Sequence, residues 1–317
     1  MRATGPATRE VSPARRQLVV LVLLTLVWGF NWPIMKLGVS GLPGAPAAYP
    51  PLTFRALSLA LGLPVLAVAL VALKVPFAVP RRHWGELLQL AALNMMVWHA
   101  IVIVALQALS SGRAAILGYS MPIFAALWGR FVYGERLGVR SAFGVAAAAL
   151  GVLLLLAHEF GRLSGAPWAA LSMLAAAAIW AYGTHRLRRT ALGVPTLTIA
   201  FWMTAATTLS MTLLALAFEH DRWQTPAPHV LLAIVYNALG VFGFAHAAWF
   251  YLARTLPPVA SSISTMLIPV LGVFSGALAL GETLHWQDFA AMLLIVAAIG
   301  SVFGAPIAGK GRQSPAR

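Results

Sequence analysis

The sequence predicts an all-α membrane protein of ten transmembrane helices, arranged as two inverted five-helix repeats with both termini in the cytoplasm. Three observations carry that expectation. Hydrophobic residues make up 60% of the 317-residue chain and charged residues only 9%, against roughly 25% charged in a soluble domain. The apolar runs are about 20 residues long, the length that spans a bilayer. Finally, Ser111–Leu137 reappears as Pro258–Leu284 under a shift of 147 residues. That shift lays Pro122 on Pro269, Gly134 on Gly281, Glu135 on Glu282 and His99 on His246. Two prolines that each precede a Gly-Glu pair by the same gap mark an internal duplication.

The net charge of +14 comes from 22 Lys+Arg against 8 Asp+Glu. The basic residues sit in short clusters between apolar runs, which suits anchors beside anionic lipid headgroups and excludes a nucleic-acid surface. There is no cysteine, so disulfides, thiolate chemistry and cysteine metal sites are excluded. Arg15 and Arg16 precede an apolar run, as in a signal peptide. The run passes straight into Val27-Trp28-Gly29-Phe30-Asn31-Trp32 with no small-residue cleavage site, so a retained first span is expected.

Apolar runs broken by Pro, Gly and charge fall at 17–38, 52–73, 85–107, 112–132 and 140–157, then 166–186, 196–218, 230–253, 259–280 and 287–305. Counted from an inside N-terminus, seventeen basic residues lie on the cytoplasmic side and five (Lys36, Arg55, Arg113, Arg162, Arg222) on the other. Five spans per copy is an odd number, so the second copy must enter the membrane inverted. The expected organisation is a cytoplasmic tail 1–16, a first repeat 17–157, a loop 158–165, a second repeat 166–305 and a cytoplasmic tail 306–317. Inverted repeats are an architecture of transporters, with the substrate site near the midplane between the halves.

Trp28-Gly29-Phe30-Asn31 with Lys36, and the paired Pro122…Gly134-Glu135 and Pro269…Gly281-Glu282, resemble the EamA repeats of the drug/metabolite transporter superfamily. The resemblance covers the chain apart from its polar tails. It implies ten helices, five plus five, and export of small metabolites from the cytoplasm. The Trp-rich, acid-poor character is similar to bacterial amino-acid exporters of the YddG type. The second copy departs from the pattern, since Ile179-Trp180-Ala181-Tyr182 keeps the tryptophan without a lysine counterpart.

Catalysis is not expected. The eight carboxylates lie in tails, loops or span ends, and no span carries paired acids, a His-Glu helix motif or a Gly-rich phosphate loop. No metal site or cofactor is expected. Without a buried acid, the titratable groups left at depth are His99 and His246. They either bond to neighbouring helices or line a cavity and act on substrate or protons. Pro122 and Pro269 each remove a helix hydrogen bond and are read as kinks that open or gate a cavity.

Ser262 and Thr265 share a face with Pro269 and either pack helices closely or offer hydrogen bonds to a substrate, with Gly118 and Tyr119 as the candidates in the first half. Trp28, Trp98 and Trp180 fall near span middles, where tryptophan shapes a pocket, whereas Trp84, Trp168, Trp223 and Trp286 belong to span ends. Lys36 and Arg55 lie near outer span ends. Snorkelling is their default, with a vestibule that draws out a carboxylate as the functional alternative. Asn31, Asn94 and Asn237 need partners inside the membrane. Glu135 and Glu282 read as caps or as partners of Arg136 and His285.

The expected cavity lining is therefore His99, Trp28, Asn31, Trp98, Tyr119 and Trp180, with Thr265 and His246. The expected activity is export of amino acids or similar metabolites across a bacterial inner membrane by facilitated alternating access. Proton-driven efflux of lipophilic drugs and a non-transporting scaffold are the alternatives. The expected partners are a small-molecule substrate and membrane lipid. Rows such as Gly144, Ala148 and Gly151 fit either internal packing or a homodimer.

Overall fold

The computed structural model describes residues 13–40, 48–135, 138–161, 166–255 and 258–303, and these are helical with no strand among them. Helices α1 (Pro13–Ser40), α2 (Pro51–Ala72), α3 (Trp84–Ala91) and α4 (Val97–Ala108) are followed by α5 (Ser111–Gly118), α6 (Met121–Phe131) and α7 (Val139–Gly161). Then come α8 (Pro167–Arg188), α9 (Thr196–Phe218), α10 (Pro228–Val235), α11 (His246–Thr255), α12 (Pro258–Leu280) and α13 (Trp286–Phe303). Among the described residues, five helical stretches are long and apolar enough to cross a membrane: Gln17–Ser40, Pro51–Ala72, Arg81–Ala108, Thr196–Phe218 and Pro228–Trp249. Ala142–His158, Leu267–Leu280 and Trp286–Ser301 are shorter apolar helices.

Local sequence explains the boundaries. Proline opens α2, α8 and α10 (Pro51, Pro167, Pro228), where its missing N–H costs nothing. Gly134 and Gly281 take φ of +66° and +63° just beyond α6 and α12, the left-handed turn that closes a helix. After Gly134 the Glu135 N–H bonds the Gly129 carbonyl at 2.9 Å. Gly129 and Gly276 have no Cβ where the Glu135 and Glu282 carboxylates fold back over the helix; a Cβ there would lie 2.6 and 2.5 Å from Oε2. The repeated motif is thus a helix end with room for its own acid.

The run expected to span 112–132 is two helices, and this corrects the reading of Pro122. α5 stops at Gly118, Tyr119 and Ser120 make a turn, and Pro122 sits in the first turn of α6. Pro122 divides the run, while Pro269 lies inside an unbroken α12. The other kind of irregularity is shared by both halves. Ala92–Met96 joins α3 to α4 and Tyr236–Ala245 joins α10 to α11 as π-helical turns. Each ends shortly before a histidine, at His99 and His246. π-Turns widen a helix by one residue and cluster at functional sites.

Helix contacts follow the duplication. α2 packs on α9, α5 on α12 and α7 on α13, pairs that the 147-residue shift maps onto themselves. α1 packs on α12 as α8 packs on α5 and α6. A continuous core runs through Trp32, Phe54, Leu106, Ile116, Met173 and Ile295. At the end of the bundle where α1, α4, α9 and α12 finish, buried polar contacts tie the helices together. Glu219 accepts from the Leu52 and Thr53 amides and the Thr53 hydroxyl (3.0, 2.7 and 2.8 Å). Arg113 Nε lies 2.8 Å from Asp288 Oδ1, with both side chains under a tenth exposed.

Candidate functional site

A cavity of about 140 Å³ lies where α1, α2, α4, α8 and α11 converge around the α5–α6 turn. α1 contributes Trp28, Asn31, Trp32 and Met35, spaced i, i+3, i+4 and i+7 along one helical face. Trp98, His99 and Val102 enter from α4, directly after its π-turn, and His246 and Trp249 enter from α11 in the same way. Tyr119 and Met121 flank the break before α6, so the division at Pro122 places both against the cavity. Trp180 closes the α8 side.

The walls are aromatic pairs. Trp98 and Trp180 meet edge to face at 5.3 Å between ring centroids. Trp28 lies 5.7 Å from Trp249 and 6.0 Å from His246. Trp32 meets Tyr119 at 6.4 Å. Behind this surface Phe242 stacks on His246 at 5.4 Å and touches His99 at 5.2 Å.

The polar groups fall into two kinds. His246 Nδ1 lies 2.9 Å from the Val241 carbonyl; a carbonyl can only accept, so Nδ1 carries the proton and Nε2 keeps its lone pair. The second kind is unsatisfied. Asn31 Oδ1, Arg55 Nε and both ring nitrogens of His99 are buried with no hydrogen-bond partner. Buried polar atoms are nearly always paired, so four orphans on one small cavity need a reason. Among the described residues, the cavity lining holds no nucleophile beside a base and no group of three metal-ligating side chains occurs.

The sequence-derived lining meets here. Trp28, Asn31, Trp98, His99, Tyr119, Trp180 and His246 all face the cavity, while the Thr265 side chain lies outside the described residues, as do those of Ser261, Ser262 and Ser264. Arg55 is the main addition. Snorkelling was its default from position, but it is 1% exposed and lines the cavity. Lys36 does not snorkel either: its Nζ donates to the Leu106 and Gln107 carbonyls at 2.8 and 3.0 Å, capping α4. Asn94 and Asn237 each donate to a carbonyl one turn back, Leu90 and Ala233, at 3.0 Å. Glu282 pairs with Ser111, not with His285. Glu135 meets Arg189 at 2.7 Å; its other expected partner, Arg136, lies outside the described residues. Trp32 and Trp249 were missed as lining, although the i, i+4 spacing from Trp28 was a usable signal for Trp32.

The EamA-like transporter family model matches this chain twice, over residues 16–157 and 167–304. The chain belongs to the EamA-like transporter family. It is a membrane transporter of the drug/metabolite type and a multi-pass protein of the bacterial inner membrane. The inner membrane transporter YedA of Escherichia coli, itself uncharacterized, is 29% identical over 282 residues, 88% of each chain. The aromatic amino acid exporter YddG of Ancylobacter novellus is 29% identical over 262 residues, covering 78% of this chain and 88% of its own. One solved crystal structure superposes with a TM-score of 0.66 at 23% identity, covering 90% of this chain and 97% of that one, which shows a shared fold.

Proposed function

We infer that this EamA-family protein exports amino acids, those with aromatic or neutral side chains first among them, from the cytoplasm. The route is the aromatic cavity, exposed alternately to the two sides. The membrane arrangement that goes with it is ten spans in two inverted five-helix repeats, 17–157 and 166–305, with both termini cytoplasmic. The helix pairs that map onto themselves under the 147-residue shift support this arrangement, as does the excess of Lys and Arg on one side. The observation that carries the substrate reading is the pairing of tryptophan walls with unsatisfied polar atoms. Aromatic faces suit an apolar side chain, and the orphaned Asn31, Arg55 and His99 atoms suit a small polar head group.

Coupling is facilitative in this reading, because no Asp or Glu, the usual carrier of a proton-driven pump, is among the described residues that line the cavity. Efflux of lipophilic cations is disfavoured by Arg55, which would repel them. The test is uptake of a radiolabelled amino-acid panel into proteoliposomes, with and without an imposed pH gradient. Saturable flux that ignores the gradient and falls in His99→Ala is the expected result. Flux seen only with the gradient would reassign the two histidines as proton carriers. Movement of a lipophilic cation but of no amino acid would overturn the substrate class.

A further inference from the structure

We propose that Arg55 is the anchor for a carboxylate on the transported molecule. The cargo is an aromatic or bulky apolar monocarboxylate, in which the α-amino group is dispensable. The proposal rests on the export reading above and narrows it to one determinant.

Arg55 has five N–H donors and poor use for them inside the protein. Nη2 points at the Met35 thioether at 2.8 Å, Nη1 reaches the Asn237 amide oxygen at 3.3 Å, and Nε has no partner. The guanidinium carbon also lies 5.6 Å from the Phe242 ring centroid. No carboxylate is among these partners or among the described residues that line the cavity. The acids whose side chains are described are engaged elsewhere. Glu86 accepts from Thr190, Glu135 from Arg189, and Glu219 caps α2; Asp221 meets His220, Glu282 caps α5, and Asp288 pairs with Arg113.

A buried charge with no counter-charge is expensive, and removing its partner leaves that expense uncompensated. Inside a membrane protein such a group marks a pathway by default. The guanidinium fork matches the planar oxygens of a carboxylate with two parallel hydrogen bonds. His99 can add a donor. Asn31 Oδ1 is a neutral acceptor, served equally by a hydroxyl or an ammonium on the neighbouring carbon. Among the described residues, the cavity lining therefore holds one fixed positive charge, no negative one, and tryptophan faces for the remainder of the molecule.

The test uses the full-length protein in lipid nanodiscs and follows its tryptophan fluorescence during titration. The probes are L-phenylalanine, 3-phenyllactate, phenylalaninamide and phenethylamine. Phenylalanine and phenyllactate are expected to saturate with dissociation constants within about fivefold of each other. The two probes lacking a carboxylate should bind at least about tenfold more weakly, the loss that follows from one hydrogen-bonded charge pair. Arg55→Gln should weaken both carboxylate probes by the same order, and Arg55→Lys by less. Phenethylamine binding as well as phenylalanine would overturn the proposal, as would wild-type affinity in a folded Arg55→Gln protein. If Arg55→Gln does not fold, the probe series on the unaltered protein decides alone. Carboxylate-dependent binding with no amino-acid flux in proteoliposomes would sink the export reading and keep the anchor. Normal flux untouched by folded Arg55→Gln would do the reverse.

Discussion

The Glu282 carboxylate, just past the end of α12, accepts from both the amide nitrogen and the hydroxyl of Ser111 at 2.7 Å. An acid more than 170 residues along the chain thus caps the N-terminus of α5, where the free amides and the helix dipole favour negative charge. Glu219 does the same for α2. These two long-range caps, with the Arg113–Asp288 pair, tie the helices together at one end of the bundle.

Glu282→Gln is predicted to lower stability by about 1–3 kcal/mol, since the neutral amide offers one acceptor oxygen where two are used. Ser111→Ala removes the hydroxyl alone and should cost about 1 kcal/mol. The double variant should cost less than the sum, because both changes act on one contact. Chemical denaturation in a mild detergent measures all three. Full additivity would mean that the two residues do not share the bond.

Arg113→Met and Asp288→Leu should each destabilise by about 3–5 kcal/mol, because each strands a buried charge. The pair together should recover most of that loss, as apolar replacements of buried ion pairs often do. A double-mutant cycle on unfolding midpoints reads the coupling. A coupling near zero would show that the pair is incidental to the fold.

Gly134→Ala and Gly281→Ala are each expected to cost about 1–2 kcal/mol, the penalty for a Cβ in the left-handed region. The same substitution at Gly85, where a Cβ would meet nothing within 4 Å, sits in a helix and should be neutral or stabilising. Equal effects at all three would remove the backbone argument for the Gly-Glu motif.

Much of this was legible in the sequence. The duplication at 147 residues pointed to matched elements, and His99, His246, Trp28 and Trp180 were picked out by depth and by repetition. Arg55 was harder to place for a physical reason. Its position four residues into α2 is compatible with an outer interface, and only the three-dimensional packing of Met35, Asn237 and Phe242 around it shows that it points inward. The Ser111 and Arg113 contacts were illegible because their partners lie 171 and 175 residues away. The break at Tyr119–Ser120 was half visible: Pro122 announces an irregularity, but the same proline motif at Pro269 leaves α12 continuous. Sequence gives the proline and not the neighbours that decide between a bend and a break.

Trp98 and Trp180 face each other across the α4–α8 contact and line the cavity, so they should act on the substrate and not only on the fold. Trp98→Leu and Trp180→Leu are each predicted to raise KM for an aromatic amino acid about two- to tenfold, matching the roughly 0.5–1.5 kcal/mol that an aromatic pair adds beyond area burial. A substrate with an aliphatic side chain should be affected less, since it gains no quadrupole contact from the indole edges. Trp168→Leu, at a position 79% exposed, serves as the control and should leave both values unchanged. Substrate counterflow in proteoliposomes, run with one aromatic and one aliphatic amino acid, separates the cases. An equal rise for both substrates would mean that the pair only fixes α4 against α8; a rise confined to the aromatic one makes it the selectivity wall.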